Sequence, residues 1–133
     1  MSRIGLALGG GGTRGAFEIG AWKAFRELDV QFAAITGTSI GAINGALMLS
    51  CGYDRAVELW HNLQYEQCLS FSTPPNLKSS DLLTLKNSDV LAREILAQGG
   101  LDTGPLRELL LNYIDEKVVR SNPVRFGLMT VQI

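Results

Sequence analysis

The chain has 133 residues, with twelve basic and thirteen acidic side chains and a formal net charge of −1. That length fits one domain, and an apolar share of 46% excludes wholesale disorder. No basic excess exists to neutralise a phosphate backbone, and the lone histidine, His61, excludes a multi-histidine metal site.

In chain order, residues 3–8 read as a strand, residues 9–12 as a glycine loop and residues 13–28 as a helix. Phe17, Ala21, Ala24, Phe25 and Leu28 fall on one stripe of that helix. A second short strand covers residues 32–36, a turn residues 37–41 and a helix residues 40–50. Asp54 suits the N-cap of a helix reaching Leu63, with Val57, Trp60 and His61 at helical spacing. Residues 64–80 are irregular, with Pro74, Pro75 and Asn76 as turn signals. A helix covers part of residues 89–97 and stops at Gly99 and Gly100. Thr103 or Asp102 caps a helix that starts near Pro105 and runs to about Ile114. Residues 115–119 suit a short further turn, and residues 124–131 a strand.

From Val30 to Tyr53 no residue is charged, which is long enough to suggest a membrane span. The run contains Gly37, Gly41, Gly45 and Gly52 together with Thr36, Thr38, Ser39 and Asn44, so a buried strand, a tight turn and a buried helix fit it better. Residues 4–8 are too short for the apolar core of a secretory signal. Cys51 and Cys68 are too few for a disulfide framework and read as free thiols of a cytoplasmic protein.

The element order is that of an α/β fold with parallel strands joined by right-handed crossovers. Ligands of such sheets gather at the carboxyl ends of the strands. Eleven of the fifteen glycines lie in the first 52 residues, and two clusters of them fall at those ends. They are candidates for one site.

Gly37-Thr38-Ser39-Ile40-Gly41 fits G-x-S-x-G, the nucleophile elbow. The serine would occupy a strained turn between strand and helix, and the glycines would prevent clashes between the two. A helix N-terminus there favours developing negative charge. Glycine-rich chains produce the pentapeptide by accident, so its strand-turn-helix context carries the reading. Gly9 to Gly12, followed by Thr13, Arg14 and Gly15, admits three functional readings. A dinucleotide fingerprint needs an acidic residue near the end of the second strand, where Thr36 stands. A phosphate loop needs Gly-Lys-Ser/Thr, which is absent. An oxyanion hole needs only side-chain-free N–H groups, and it alone explains both clusters. A tight turn without function is the remaining possibility.

The two motifs together resemble the patatin-like phospholipases, which are serine lipid acyl hydrolases. Gly10-Gly11-Gly12-Thr13-Arg14-Gly15 is similar to the family's first motif and Gly37 to Gly41 to its second. The segment from Gly41 to Ala46 continues in the family's style, and Leu101 to Leu110 resembles the stretch before the central strand in bacterial members. The resemblance implies a parallel-rich central sheet flanked by helices in three layers. It makes Ser39 the nucleophile of a Ser-Asp dyad, with oxyanion donors at Gly10, Gly11 and Gly12. Arg14 and Gly15 would brace that loop, and Gly37 and Gly41 would shape the elbow. It implies no metal and no cofactor. The substrate would be a phospholipid or another fatty acyl ester, met in transient contact with a membrane surface by a cytoplasmic, peripheral protein.

The chain departs from the family in one respect. None of Asp29, Asp54, Asp81, Asp89, Asp102 and Asp115 is followed by glycine, so the family's Asp-Gly pair is absent. The expectation is a truncated domain comprising residues 1–133, lacking its base and turning over esters poorly. A sheet edge left open by truncation would promote association. Two other readings stand beside the hydrolase. One is a non-catalytic lipid- or protein-binding module that keeps the elbow as structure. The other is a nucleotide-binding α/β domain. His61 reads as a half-exposed residue on a helix face rather than a triad base. Trp22, Phe25 and Trp60 read as core, and residues 109–111 and Tyr113 as packing.

Overall fold

Three parallel strands, β1 (Ile4–Leu8), β2 (Phe32–Thr38) and β3 (Arg125–Met129), form a sheet in the order β1-β2-β3. The computed structural model describes residues 4–64 and 103–130. The chain divides into two units, one of residues 1–62 with 113–133 and one of residues 63–112. The sheet belongs to the first.

Registers Leu8↔Gly37 and Gly37↔Leu128 align the carboxyl ends of all three strands. The strand order advances in one direction, from β1 through β2 to β3. Helix α1 (Gly15–Glu27) follows β1, and α2 (Ile40–Ser50) and α3 (Tyr53–Asn62) follow β2. Helix α2 touches all three strands and lies against α1, α3 and the short α5 (Glu116–Ser121) that precedes β3. Leu8, Ile35 and Leu49 centre the core, with Leu6, Phe32, Met48, Val119, Val124 and Phe126 packed around them. The result is a three-stranded parallel sheet flanked by helices, as the patatin-like α/β reading expects.

The central strand is longer than its sequence suggests. It continues through Gly37 to Thr38, because Gly37 pairs with both neighbours. Helix α1 presents a different face from the expected stripe. Gly15, Ile19 and Trp22 are buried, whereas Phe17 is 81% exposed and Leu28 73%. Gly15 sets the rotation: a Cβ there would stand 2.6 Å from Ile40 Cγ1 and 3.0 Å from the Trp60 ring. The helix turns its smallest residue, not its aromatic stripe, toward α2 and α3. Trp22 and Phe25 keep apolar contacts through edge-to-face pairs with Tyr53 at 5.2 Å and Phe32 at 5.3 Å.

Helix α1 ends in a Schellman turn. The Val30 N–H donates to Phe25 O at 2.9 Å and the Asp29 N–H to Arg26 O at 3.1 Å, with Asp29 at φ 51. Asp54 does not cap α3. The helix starts at Tyr53, two residues earlier than such a cap implies; Gly52 O accepts from the Ala56 N–H at 3.2 Å, and Asp54 sits in the first turn, where the helix dipole favours it. Asp115 caps α5, accepting from the Lys117 N–H at 2.8 Å. Asn122 then fastens the entry to β3, donating to Leu49 O at 3.1 Å and accepting from the Val124 N–H at 3.0 Å.

In the second unit, α4 (Gly104–Leu111) starts at Thr103, whose side chain makes no cap bond, with Pro105 in its first turn. It stops at Leu111, short of Ile114, where the Asn112 N–H turns back to Leu109 O at 3.1 Å. Residues 65–80 of the irregular stretch, the helix expected in residues 89–97, Cys68 and Asp102 lie outside the described residues, as does the expected end of β3 at Val131. No described helix is long and apolar enough to cross a membrane. The uncharged run is instead divided between β2 and α2.

Candidate active site

Ser39 is the only residue between β2 and α2. It is exposed and holds φ 53 and ψ −126, a left-handed conformation that is strained for a side-chain-bearing residue. Two glycines allow so short a joint. A Cβ on Gly37 would collide with the carbonyl of Gly41 and the nitrogen of Ala42. A Cβ on Gly41 would stand 2.6 Å from the carbonyl oxygens of both Leu8 and Gly9. Helix α2 therefore begins in contact with the end of β1 as well as β2.

That contact brings the glycine loop to the serine. A Cβ on Gly10 would lie 3.3 Å from Ser39 Cβ and 3.6 Å from Thr38 O. Gly11 and Gly12 take φ 152 and φ 58, which turn the chain into a 3-10 turn over Gly12–Arg14. The Arg14 N–H closes this turn on Gly11 O at 3.2 Å. The aliphatic stem of Arg14 lies over Gly11, with Cβ, Cγ and Cδ all within 3.4–3.8 Å of the position a Cβ would take there.

The residues singled out from the two motifs thus converge from both strand ends. The Ser39 hydroxyl stands at the N-terminus of an 11-residue helix. Ser39 O accepts from the Ala42 N–H at 2.9 Å and the Ile43 N–H at 3.4 Å, while the N–H groups of Ile40 and Gly41 precede the first possible intrahelical acceptor. An electron-rich atom bound there meets the positive end of the helix dipole. Chemically, the arrangement offers an exposed hydroxyl beside a backbone free of side chains.

Sequence reasoning missed Asn44. It is 1% exposed and holds three elements together. Its amide nitrogen donates to Gly15 O at 3.0 Å and to Glu18 Oε2 at 2.7 Å, and its oxygen accepts from Trp60 Nε1 at 2.9 Å. The available signal was an amide in the middle of the otherwise small and apolar run from Ile40 to Leu49. A buried amide requires partners, so that lone amide marked a site where other elements must supply them. Trp60 is accordingly a half-buried hydrogen-bond donor as well as a core residue.

Other candidates lie apart from this arrangement. His61 is exposed in the last turn of α3. Burial pushes the Cys51 thiol above its ordinary range, against the lowering effect of the Arg55 charge, so Cys51 is a poor thiolate at neutral pH. Tyr113 packs beneath the Arg55 guanidinium at 5.1 Å, and Leu111 is exposed. A cleft of about 390 Å³ opens at the opposite end of the sheet, lined by Phe25, Arg26, Phe32, Met48 and Val124 among others, and takes no part in this site. No three His, Cys, Asp or Glu side chains cluster as a metal site among the described residues.

Known proteins share this sequence pattern. Lysophospholipase nte1 of Aspergillus terreus is 54% identical over 44 residues, which are 33% of this chain and 3% of that protein. Neuropathy target esterase sws of Drosophila persimilis is 53% identical over 47 residues, 35% of this chain and 3% of its own length, and the sws protein of Drosophila grimshawi matches to the same extent. The chain thus aligns with only a small part of these much longer relatives. No solved structure matches it. The family model for patatin-like phospholipase matches residues 6–132. A match over nearly the whole length, on a parallel sheet flanked by helices, establishes that the chain belongs to the patatin-like phospholipase family.

Proposed function

We propose that Ser39 is the nucleophile of a lipid acyl hydrolase and that the N–H groups of Gly10, Gly11 and Gly12 stabilise the oxyanion. The observation that carries this is the single-residue joint at Ser39, strained and in contact with Gly10. Strain of this kind persists where surrounding structure enforces it, and it clusters at reactive sites. Ser39 Oγ attacks the ester carbonyl carbon and gives its proton to a base. The carbonyl oxygen becomes the oxyanion, held by backbone donors. Collapse breaks the ester C–O bond, and the alcohol leaves with the proton. Water then attacks the acyl-serine in the same way and releases the fatty acid.

The family resemblance gives the base role to the aspartate of an Asp-Gly pair. These 133 residues contain no such pair, and we assign the role to chain outside them. Labelling with a fluorophosphonate followed by peptide mass spectrometry tests the reading. The expected result is an adduct on Ser39 that is absent from Ser39→Ala, with little ester turnover by the 133-residue chain alone. Robust turnover by that chain, abolished by Ser39→Ala, would overturn the external base. Failure of Ser39 to label when an aspartate-bearing partner segment is present would favour a non-catalytic module.

A lipid surface is the setting we assign to this chemistry. Phe17 is 81% exposed in the first turn of α1, three residues after the exposed Arg14 of the glycine loop. An aromatic ring beside a cation suits an anionic bilayer. Phe17→Glu is expected to weaken co-sedimentation with phosphatidylserine vesicles by about tenfold or more, since a buried aromatic contributes about 1.5–3 kcal/mol. The melting temperature should not fall, because the ring packs on little in the folded protein.

A further inference from the structure

Asn44 carries an inference that rests on the hydrolase reading. Its amide is fully satisfied: both N–H donors and the oxygen are engaged. Its orientation is dictated by its partners. An indole N–H can only donate and a backbone carbonyl can only accept, so the oxygen must face Trp60 and the nitrogen Gly15. Gly15 ends the glycine loop and opens α1. Asn44 lies one turn beyond the start of α2, the helix that Ser39 caps. One buried side chain therefore joins the segment carrying the proposed oxyanion donors to the helix carrying the nucleophile.

The same contact is closed by packing. Gly15 faces Ile40, the residue after Ser39, and the Trp60 ring so closely that a Cβ would stand 2.6 Å from one and 3.0 Å from the other. Glu18, half-buried one turn into α1, takes the second amide N–H at 2.7 Å. A loop of consecutive glycines has little stiffness of its own. Its distance from Ser39 must be set by what holds its far end.

We propose that Asn44, oriented by Trp60, is a positioning residue that sets the separation between the glycine loop and Ser39, with Glu18 as its second anchor. Ionised aspartate at this position would offer no donor, and it would turn a carboxylate toward Gly15 O and Glu18. Trp60→Phe keeps an aromatic ring but removes the indole N–H that orients the amide, together with part of the ring surface packed against Gly15.

The test uses the full chain with a fluorophosphonate, resolving the maximal inactivation rate from the half-saturating concentration. Hydrogen exchange over residues 9–15 is followed in parallel. Asn44→Asp is expected to lower the maximal rate about tenfold, as for a displaced oxyanion donor, with the half-saturating concentration within about twofold. Trp60→Phe, which keeps the fold if Asn44→Asp does not, should act in the same direction by about threefold. Exchange over residues 9–15 should quicken in both variants, with β2 unchanged. A purely structural role would lower the melting temperature without moving the maximal rate of the folded fraction, and that outcome overturns the proposal. A wild-type protein that does not label at Ser39 overturns the hydrolase reading instead. Exchange then judges the coupling alone, and unchanged exchange over residues 9–15 overturns it.

Discussion

Gly41→Ala is expected to destabilise the protein by about 3 kcal/mol, at the upper end of the usual cost of overpacking. The new methyl would stand 2.6 Å from two backbone carbonyl oxygens, Leu8 O and Gly9 O, and neither can move without shifting the end of β1. The melting temperature should fall by about 10 °C. Labelling of Ser39 should fall about a hundredfold in whatever remains folded, because misplacement by about 1 Å costs that much in a reaction governed by geometry. Gly20→Ala is the control. It lies in the interior of α1, and a Cβ there meets nothing within 4 Å. It should stabilise by about 0.5–1 kcal/mol, through helix propensity alone. If the two variants melt alike, the close approach of α2 to β1 is wrong.

Ser39→Gly should separate reactivity from stability in opposite directions. Covalent labelling disappears with the hydroxyl, yet the melting temperature should rise. The residue sits at φ 53 and ψ −126, where a side chain costs about 1–3 kcal/mol and glycine does not. The greater chain entropy of glycine offsets about 0.5–1 kcal/mol of that gain. Ser39→Ala retains the Cβ and hence the strain, so it should lose labelling without gaining stability. A gap of about 1 kcal/mol between the glycine and alanine variants, read by thermal melting, measures the strain at this joint. Identical melting would mean the serine is relaxed.

The two glycine motifs were legible in the sequence because close approach leaves few alternatives to glycine. Gly37 and Gly41 could be assigned to a tight strand-helix joint before any coordinates, and the joint is there. The parallel α/β order was legible for a similar reason, since alternating strands and helices admit few arrangements. The rotation of α1 was not. An aromatic stripe and a small-residue stripe are both plausible inner faces, and only the neighbouring helices decide between them. Here Ile40 and Trp60 select Gly15, and Phe17 is left outside. Asn44 was overlooked because its partners come from two other helices, α1 and α3, a relation that no local pattern encodes. The start of α3 lies two residues before the one an Asp54 cap implies, with Gly52 O accepting the first intrahelical bond.

The order of the strands has a consequence for synthesis. β1 and β2 are complete once Thr38 has been added, whereas the other edge of β2 pairs with a strand that begins at Arg125. Translation at about 5–20 residues per second leaves that edge open for roughly 5 to 20 seconds. Throughout that interval the nascent chain exposes an unpaired parallel edge beside Ile35, whose outer neighbour is to be Phe126. Slowing translation between the codons for Ile40 and Val124 should therefore raise chaperone demand and aggregation without altering a single contact of the finished protein.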